Sequence, residues 1–281
     1  MQPICLAGRP RLDPVDEAGI SCTHFAQAQK TGSGNQRAAL IEPTTSIFAV
    51  TLQFDHHMPP LTIVFDLDGT LVDTAPDLVA TLNVVLGRAG LRPVAYADAR
   101  PMVGGGARVM VERGINANGG LLTAAEIDRL ERDFITHYAD HIAVHSQPFD
   151  GVEATLDQLA ENGCRLAVCT NKLEWLSLRL LDALGLRPKF RAICGADTFG
   201  VSKPDPTILN RTIERAGGDK TRAIMIGDSS TDIATARAAG IPVIAVDFGY
   251  SDIPAAELKP DRVVSAFSEL PESIFRVLST G

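Results

Sequence analysis

Phe65-Asp66-Leu67-Asp68-Gly69-Thr70 closes a short apolar run with two carboxylates two residues apart. Three other strings end or follow apolar runs in the same way: Thr170-Asn171-Lys172, Ser202-Lys203-Pro204-Asp205-Pro206 and Gly227-Asp228-Ser229-Ser230-Thr231-Asp232. Hard carboxylate oxygens bind Mg²⁺, whereas an ammonium and a hydroxyl hold phosphate oxygens, so this set of residue types points to phosphate chemistry. Singly, each has a plainer explanation, because an Asp at a strand end is commonly a turn former or a helix cap. Their joint occurrence carries the functional reading.

To act together these residues must be brought to one place. Short apolar or β-branched runs at 61–65, 165–169, 192–194, 223–226, 243–246 and 262–264 alternate with helical patterns, which predicts an α/β fold with a doubly wound, Rossmann-like parallel sheet. In such a sheet the strand ends share one edge, where ligands bind. About a hundred residues separate the first two runs, far more than a crossover requires, so a separate unit is inserted there. Thr123 and Glu126 have capping-box spacing, Ile127, Leu130, Phe134, Tyr138 and Ile142 follow at helical intervals, and an earlier helix fits 76–88. The expectation is an all-helical cap at 75–148 on a core made of 58–74 and 149–281. Its connections, 73–76 and 147–151, hold turn residues suited to hinges. Thr74 is placed to N-cap the first cap helix, and Asp73 to serve the hinge.

A composition of 45% hydrophobic and 21% charged residues excludes disorder throughout. A net charge of -8 argues against a nucleic-acid surface, which needs clustered cations. The apolar runs fall far short of the roughly 18 to 20 residues of a membrane span. Cys5, Cys22, Cys164, Cys169 and Cys194 lack CxxC spacing and read as thiols of a reducing, cytoplasmic compartment, the last three buried in strands. Residues 1–57 show little periodicity and read as a mostly disordered extension, with Met58 as the natural start.

The four strings, DLDGT, Thr170, Lys203 and GDSSTD in that order, resemble the haloacid dehalogenase superfamily of phosphatases from about residue 61 to the C-terminus. That resemblance implies a Rossmann-like core with a mobile cap and a phosphomonoester hydrolase that works through an aspartyl-phosphate. By the same resemblance Asp66 is the nucleophile, Asp68 the general acid and base, and Thr170, Lys203 and Asn171 hold the phosphoryl oxygens. Mg²⁺ is expected on Asp66, the Asp68 carbonyl and Asp228, with Asp232 orienting a metal-bound water. Asp205 is a candidate for orienting Lys203, although Pro204 and Pro206 make a rigid turn an adequate explanation.

Within the superfamily, the carbon-attacking dehalogenases lack an acid at the position of Asp68. The phosphonate-cleaving branch uses a cap lysine, and no lysine lies between Ala75 and Asp150. DLDGTLVDTAPDL, Arg100, the turn at Val103-Gly104-Gly105-Gly106 and Glu112-Arg113 resemble bacterial phosphoglycolate phosphatases. Gly105-Gly106-Ala107-Arg108 and His145-Ser146 also resemble N-acetylmuramic acid 6-phosphate phosphatases, the alternative. Phosphoglycolate carries a carboxylate, which a cap arginine could meet bidentately. Arg100 and Arg113 are the preferred candidates and Arg108 the third. His137, His141 and His145 recur every four residues and read as a packing or surface face rather than a metal site. The glycine run lacks the context of a P-loop and suits close approach of the cap backbone to substrate. A phospho-receiver switch is the reading from a different class, set aside by chain length and the helical insert. The expected partner is a small phosphate monoester, with no nucleic acid or membrane, and the chain a monomer or homodimer.

Overall fold

The computed structural model describes residues 60–279. The reading of 1–57 as a disordered extension, and Cys5 and Cys22 with it, lies outside the described residues. Along the chain run β1 (Thr62–Phe65), β2 (Val72–Asp73), α1 (Ala75–Arg88), α2 (Tyr96–Ala99), α3 (Ala107–Ala117), α4 (Ala124–Asp140) and β3 (Gln147–Pro148). Then come α5 (Val152–Glu161), β4 (Arg165–Cys169), α6 (Glu174–Ala183), β5 (Ala192–Cys194), α7 (Pro206–Arg215), β6 (Ala223–Gly227), α8 (Ser230–Ala239), β7 (Val243–Val246), β8 (Arg262–Val264) and α9 (Leu270–Ser279).

The six core strands form one parallel sheet in the order β5-β4-β1-β6-β7-β8. Ranked by position in the sheet this is 3-2-1-4-5-6, the doubly wound order, and its direction reverses between β1 and β6. Every residue of β1 is buried, because helices cover both faces. Ile63 and Phe65 enter one apolar cluster and Val64 the other, as the two-residue period of a strand requires. The predicted strand at 61–65 begins one residue late. Leu61 is buried, but it lies outside the ladder and its carbonyl accepts from Arg165 N instead.

Between β2 and β3 the described chain is helical. The longest of these helices, α4, starts at the predicted capping box: Thr123 Oγ1 accepts from Glu126 N, and the Glu126 carboxylate accepts from Thr123 N at 2.8 Å. Leu130, Phe134 and Tyr138 form its buried stripe. β2 and β3 pair antiparallel, Val72 with Pro148 and Asp73 with Gln147, so the two connections to the helical unit are tied to each other. Asp77 in the first turn of α1 strengthens that tie by accepting from the amides of His145 and Ser146 and from Ser146 Oγ.

Candidate active site

Asp66 follows β1 directly and Asp228 follows β6, so the topological switch point sets two buried carboxylates side by side. The loop after Asp68 is tight because Gly69 adopts φ 86°, and a Cβ there would stand 2.5 Å from Asp228 Oδ2. Asp228 is held from two directions. Thr70 Oγ1 donates to its Oδ1 at 3.2 Å, and Tyr250 N donates to its Oδ2 at 2.7 Å. The Tyr250 hydroxyl in turn donates to Asp73 Oδ1 and accepts from Ala75 N, at the entry to α1.

Lys203 reaches the same place from the loop before α7. Its Nζ lies 2.8 Å from Asp66 Oδ1 and donates to Asp232 Oδ1 at 2.6 Å, with all three side chains almost fully buried. Burial disfavours its charged form, but Asp232 and Asp66 outweigh that and hold the ammonium above its usual range. The second oxygen of Asp232 accepts from Ser229 N and Ser229 Oγ, completing a capping box at the start of α8. Asp232 is therefore fixed between a helix end and a buried cation. Asp205, by contrast, does not orient Lys203: its carboxylate caps α7 by accepting from Thr207 N. A local turn satisfies it before the distant ammonium can.

Asp66, Asp228 and Asp232 each offer a ligand oxygen, and these atoms all lie within 4.8 Å of one another. Desolvation and mutual repulsion push Asp66 up to about 7 and Asp228 up to about 8. Fully ionised, three carboxylates face the one ammonium of Lys203, leaving two negative charges that a divalent cation would balance. Asp66 Oδ1 is also buried without an aligned hydrogen bond among the described residues. The donor set, all hard oxygen, fits Mg²⁺.

Beside this cluster, Thr170 follows β4 and accepts from Lys172 N, while Asn171 pins the lysine loop by accepting from Lys203 N and donating to Lys203 O. Lys172, whose role the sequence reading left blank, sends its buried ammonium to Asp68, 2.7 Å from Oδ1 and 2.9 Å from Oδ2. Thr74 occupies the N-cap position of α1, but its hydroxyl donates to Asp68 Oδ1 at 2.7 Å rather than capping the helix. A buried carboxylate six residues earlier outcompetes the local amides. The Thr170-Asn171-Lys172 string already carried the signal for Lys172, since a cation that leaves a strand end next to a phosphate-type hydroxyl points into the same crevice.

Asp68, Asn171 and Lys172 form the core side of a cavity of about 200 Å³, and Gly104, Gly105, Gly106, Arg108, Phe134 and Tyr138 form its cap side. Gly106, at φ 88°, brings the cap loop within reach of the core, for a Cβ there would lie 3.2 Å from Asn171 O. Arg100 and Arg113, the preferred carboxylate candidates, do not line this cavity. Arg100 donates to Phe248 O and lies over the Tyr250 ring, and Arg113 donates to the carbonyls of Pro101 and Met102. Arg108 does line it, but contacts Glu112, Asp128 and Glu131. His137 stacks on His141 and shares a hydrogen bond with Thr81. The thiols of Cys164, Cys169 and Cys194 are free and buried, and burial pushes Cys169 up to about 12.

The haloacid dehalogenase-like hydrolase family matches residues 63–246. A phosphoglycolate phosphatase of Agrobacterium fabrum is 50% identical over 221 residues, covering 79% of this chain and 94% of that protein. One from Mesorhizobium japonicum is 51% identical over 218 residues, covering 76% and 96%. Among solved structures, a predicted phosphoglycolate phosphatase from Haemophilus somnus 129pt superposes with a TM-score of 0.73 at 29% identity, covering 78% of this chain and 99% of that one. With the acid pair at the switch point, the buried lysine and the helical cap all found in one chain, this protein belongs to the haloacid dehalogenase-like hydrolases.

Proposed function

We propose that the chain is a Mg²⁺-dependent phosphatase that hydrolyses 2-phosphoglycolate through an aspartyl-phosphate on Asp66. The observation that carries the reaction class is the buried Asp66–Lys203–Asp232 arrangement with Asp228 alongside, at the sheet edge where phosphate ligands bind. Asp66 attacks phosphorus with a carboxylate oxygen as the bond from phosphorus to the leaving oxygen breaks, and Asp68 gives that oxygen a proton. Asp68 then takes a proton from water as the water attacks the aspartyl-phosphate, releasing phosphate and restoring both carboxyl groups. Lys203, Thr170, Asn171 and nearby amides hold the phosphoryl oxygens. The Asp66 and Asp228 carboxylates and the Asp68 carbonyl would hold the ion, with Asp232 beside them. Bound there, Mg²⁺ supplies charge neutralisation between the acidic site and a dianionic substrate.

The substrate assignment is supported by the names of the relatives at 50% and 51% identity and by the cavity, whose modest size suits a small leaving group. On this reading residues 75–148 are the cap that closes over that group. Steady-state turnover of a panel of phosphate monoesters with Mg²⁺ tests it, with phosphoglycolate expected to have the highest specificity constant. A better rate on N-acetylmuramic acid 6-phosphate would move the assignment to amino-sugar phosphates. A single persistent phosphorylation without turnover would overturn the hydrolase reading.

A further inference from the structure

We propose that Lys172 is the cation that recognises the carboxylate of the leaving group, an inference that rests on the phosphoglycolate reading above. Selectivity cannot come from contacts to the phosphoryl group, which every phosphomonoester shares. A carboxylate entering a closed, poorly solvated cavity needs a cation there, because an unpaired buried charge is costly. Arg100 and Arg113 are engaged elsewhere, and the guanidinium of Arg108 is already surrounded by three carboxylates. Lys203 is committed to Asp66 and Asp232, on the phosphoryl side.

Lys172 differs from all of these. It lines the cavity, its side chain is only 5% exposed, and it touches Asp68, the group placed beside the leaving oxygen. In glycolate the carboxylate carbon is two bonds from that oxygen, so a leaving group within reach of Asp68 brings its carboxylate to the neighbourhood of Lys172. An ammonium has three donors. Lys172 gives hydrogen bonds to Asp68 and rests its charge 4.6 Å from the centre of the Tyr138 ring, an arrangement that a second carboxylate can share without a new cation. Tyr138 lines the same cavity, and its buried hydroxyl has no hydrogen-bond partner among the described residues, leaving a second donor at this wall. The selectivity cation thus comes from the core loop after β4, and the cap supplies the aromatic surface that holds it.

The test compares phosphoglycolate with 2-hydroxyethyl phosphate, which is close in size and lacks the carboxylate. Wild-type enzyme with Mg²⁺ is expected to prefer phosphoglycolate. Lys172→Met should lower both specificity constants, because Asp68 loses a partner, but the loss on phosphoglycolate should be greater by about 30-fold or more and include a raised KM. Lys172→Arg should recover part of that preference, and Tyr138→Phe should lose a smaller part. If Lys172→Met fails to give a cooperative melt, Lys172→Gln, which keeps a donor for Asp68 without the charge, reads the same ratio. Equal losses on both substrates would overturn the proposal and leave Lys172 as a positioning residue for Asp68. A wild-type enzyme without preference would remove the substrate assignment and this inference together, whereas a preference that survives in the Lys172 variants removes the inference alone.

Discussion

Two groups of charges in this molecule look alike on paper and differ in kind. At the sheet edge, Lys203 sits among Asp66, Asp232 and Asp228 with almost no access to water. On the cap, Arg108 meets Glu112, Asp128 and Glu131 while its side chain stays 42% exposed. The buried group cannot trade its partners for water, so each charge depends on the others and the set behaves as one unit. The cap network can lose a member to solvation at little cost. On the proposed function, chemistry that requires fixed geometry is built into the first group, and the second is a surface feature at the mouth of the cavity.

Removing members of the buried set should have the largest effects. Asp66→Asn should reduce turnover by at least about a thousandfold, because an amide is a poor nucleophile, and yet it should raise the melting temperature of the metal-free protein by relieving carboxylate crowding. Steady-state kinetics and a thermal melt on the same preparation check both halves. Lys203→Ala should cost about a hundredfold or more in kcat and about 3 to 5 kcal/mol in stability, since it strands two buried carboxylates. Denaturant titration at neutral pH measures the second figure.

A smaller effect should appear with pH. Asp66 and Asp228 titrate near 7 and 8 in the folded chain against about 4 when unfolded. The folded state therefore binds more protons between those limits, and stability of the metal-free protein should fall as pH rises from about 4 to 8. Mg²⁺ should oppose that fall by favouring the ionised pair. A melting temperature that is flat across this range, or unmoved by Mg²⁺, would break the view of the cluster as a cation site. The smallest effect belongs to the cap. Arg108→Ala should leave the urea unfolding midpoint close to that of the unsubstituted protein, and a clear loss would erase the contrast drawn here.

What the sequence made legible follows the range over which each feature is determined. Strands sheathed on both faces show as short apolar runs, and all six match their runs to within a residue at either end. The Thr123–Glu126 cap depends on residues three apart and was readable for the same reason. At Thr74 and Asp205 local and distant partners compete for one side chain, the distant one winning at Thr74 and the local one at Asp205, and spacing does not reveal which wins. The partnership of Lys172 with Asp68 spans 104 positions, and that of Tyr250 with Asp73 spans 177, so neither leaves a periodic trace. The arginines that charge complementarity singled out were likewise claimed by carbonyls and carboxylates that only the fold brings near.

Position 250 carries two duties that differ in what they ask of the amino acid. Its contact with Asp228 is made by the main-chain amide, which any residue except proline provides. Its contacts with Asp73 and Ala75 are made by the phenol, which no other side chain duplicates in length and hydrogen-bonding capacity. Substitution there is consequently separable: the contact with the acid cluster tolerates drift, while the entry to the cap does not. A residue without the phenol would therefore keep its hold on the acid cluster and lose the fastening at the start of α1, so that the two duties can be altered one at a time.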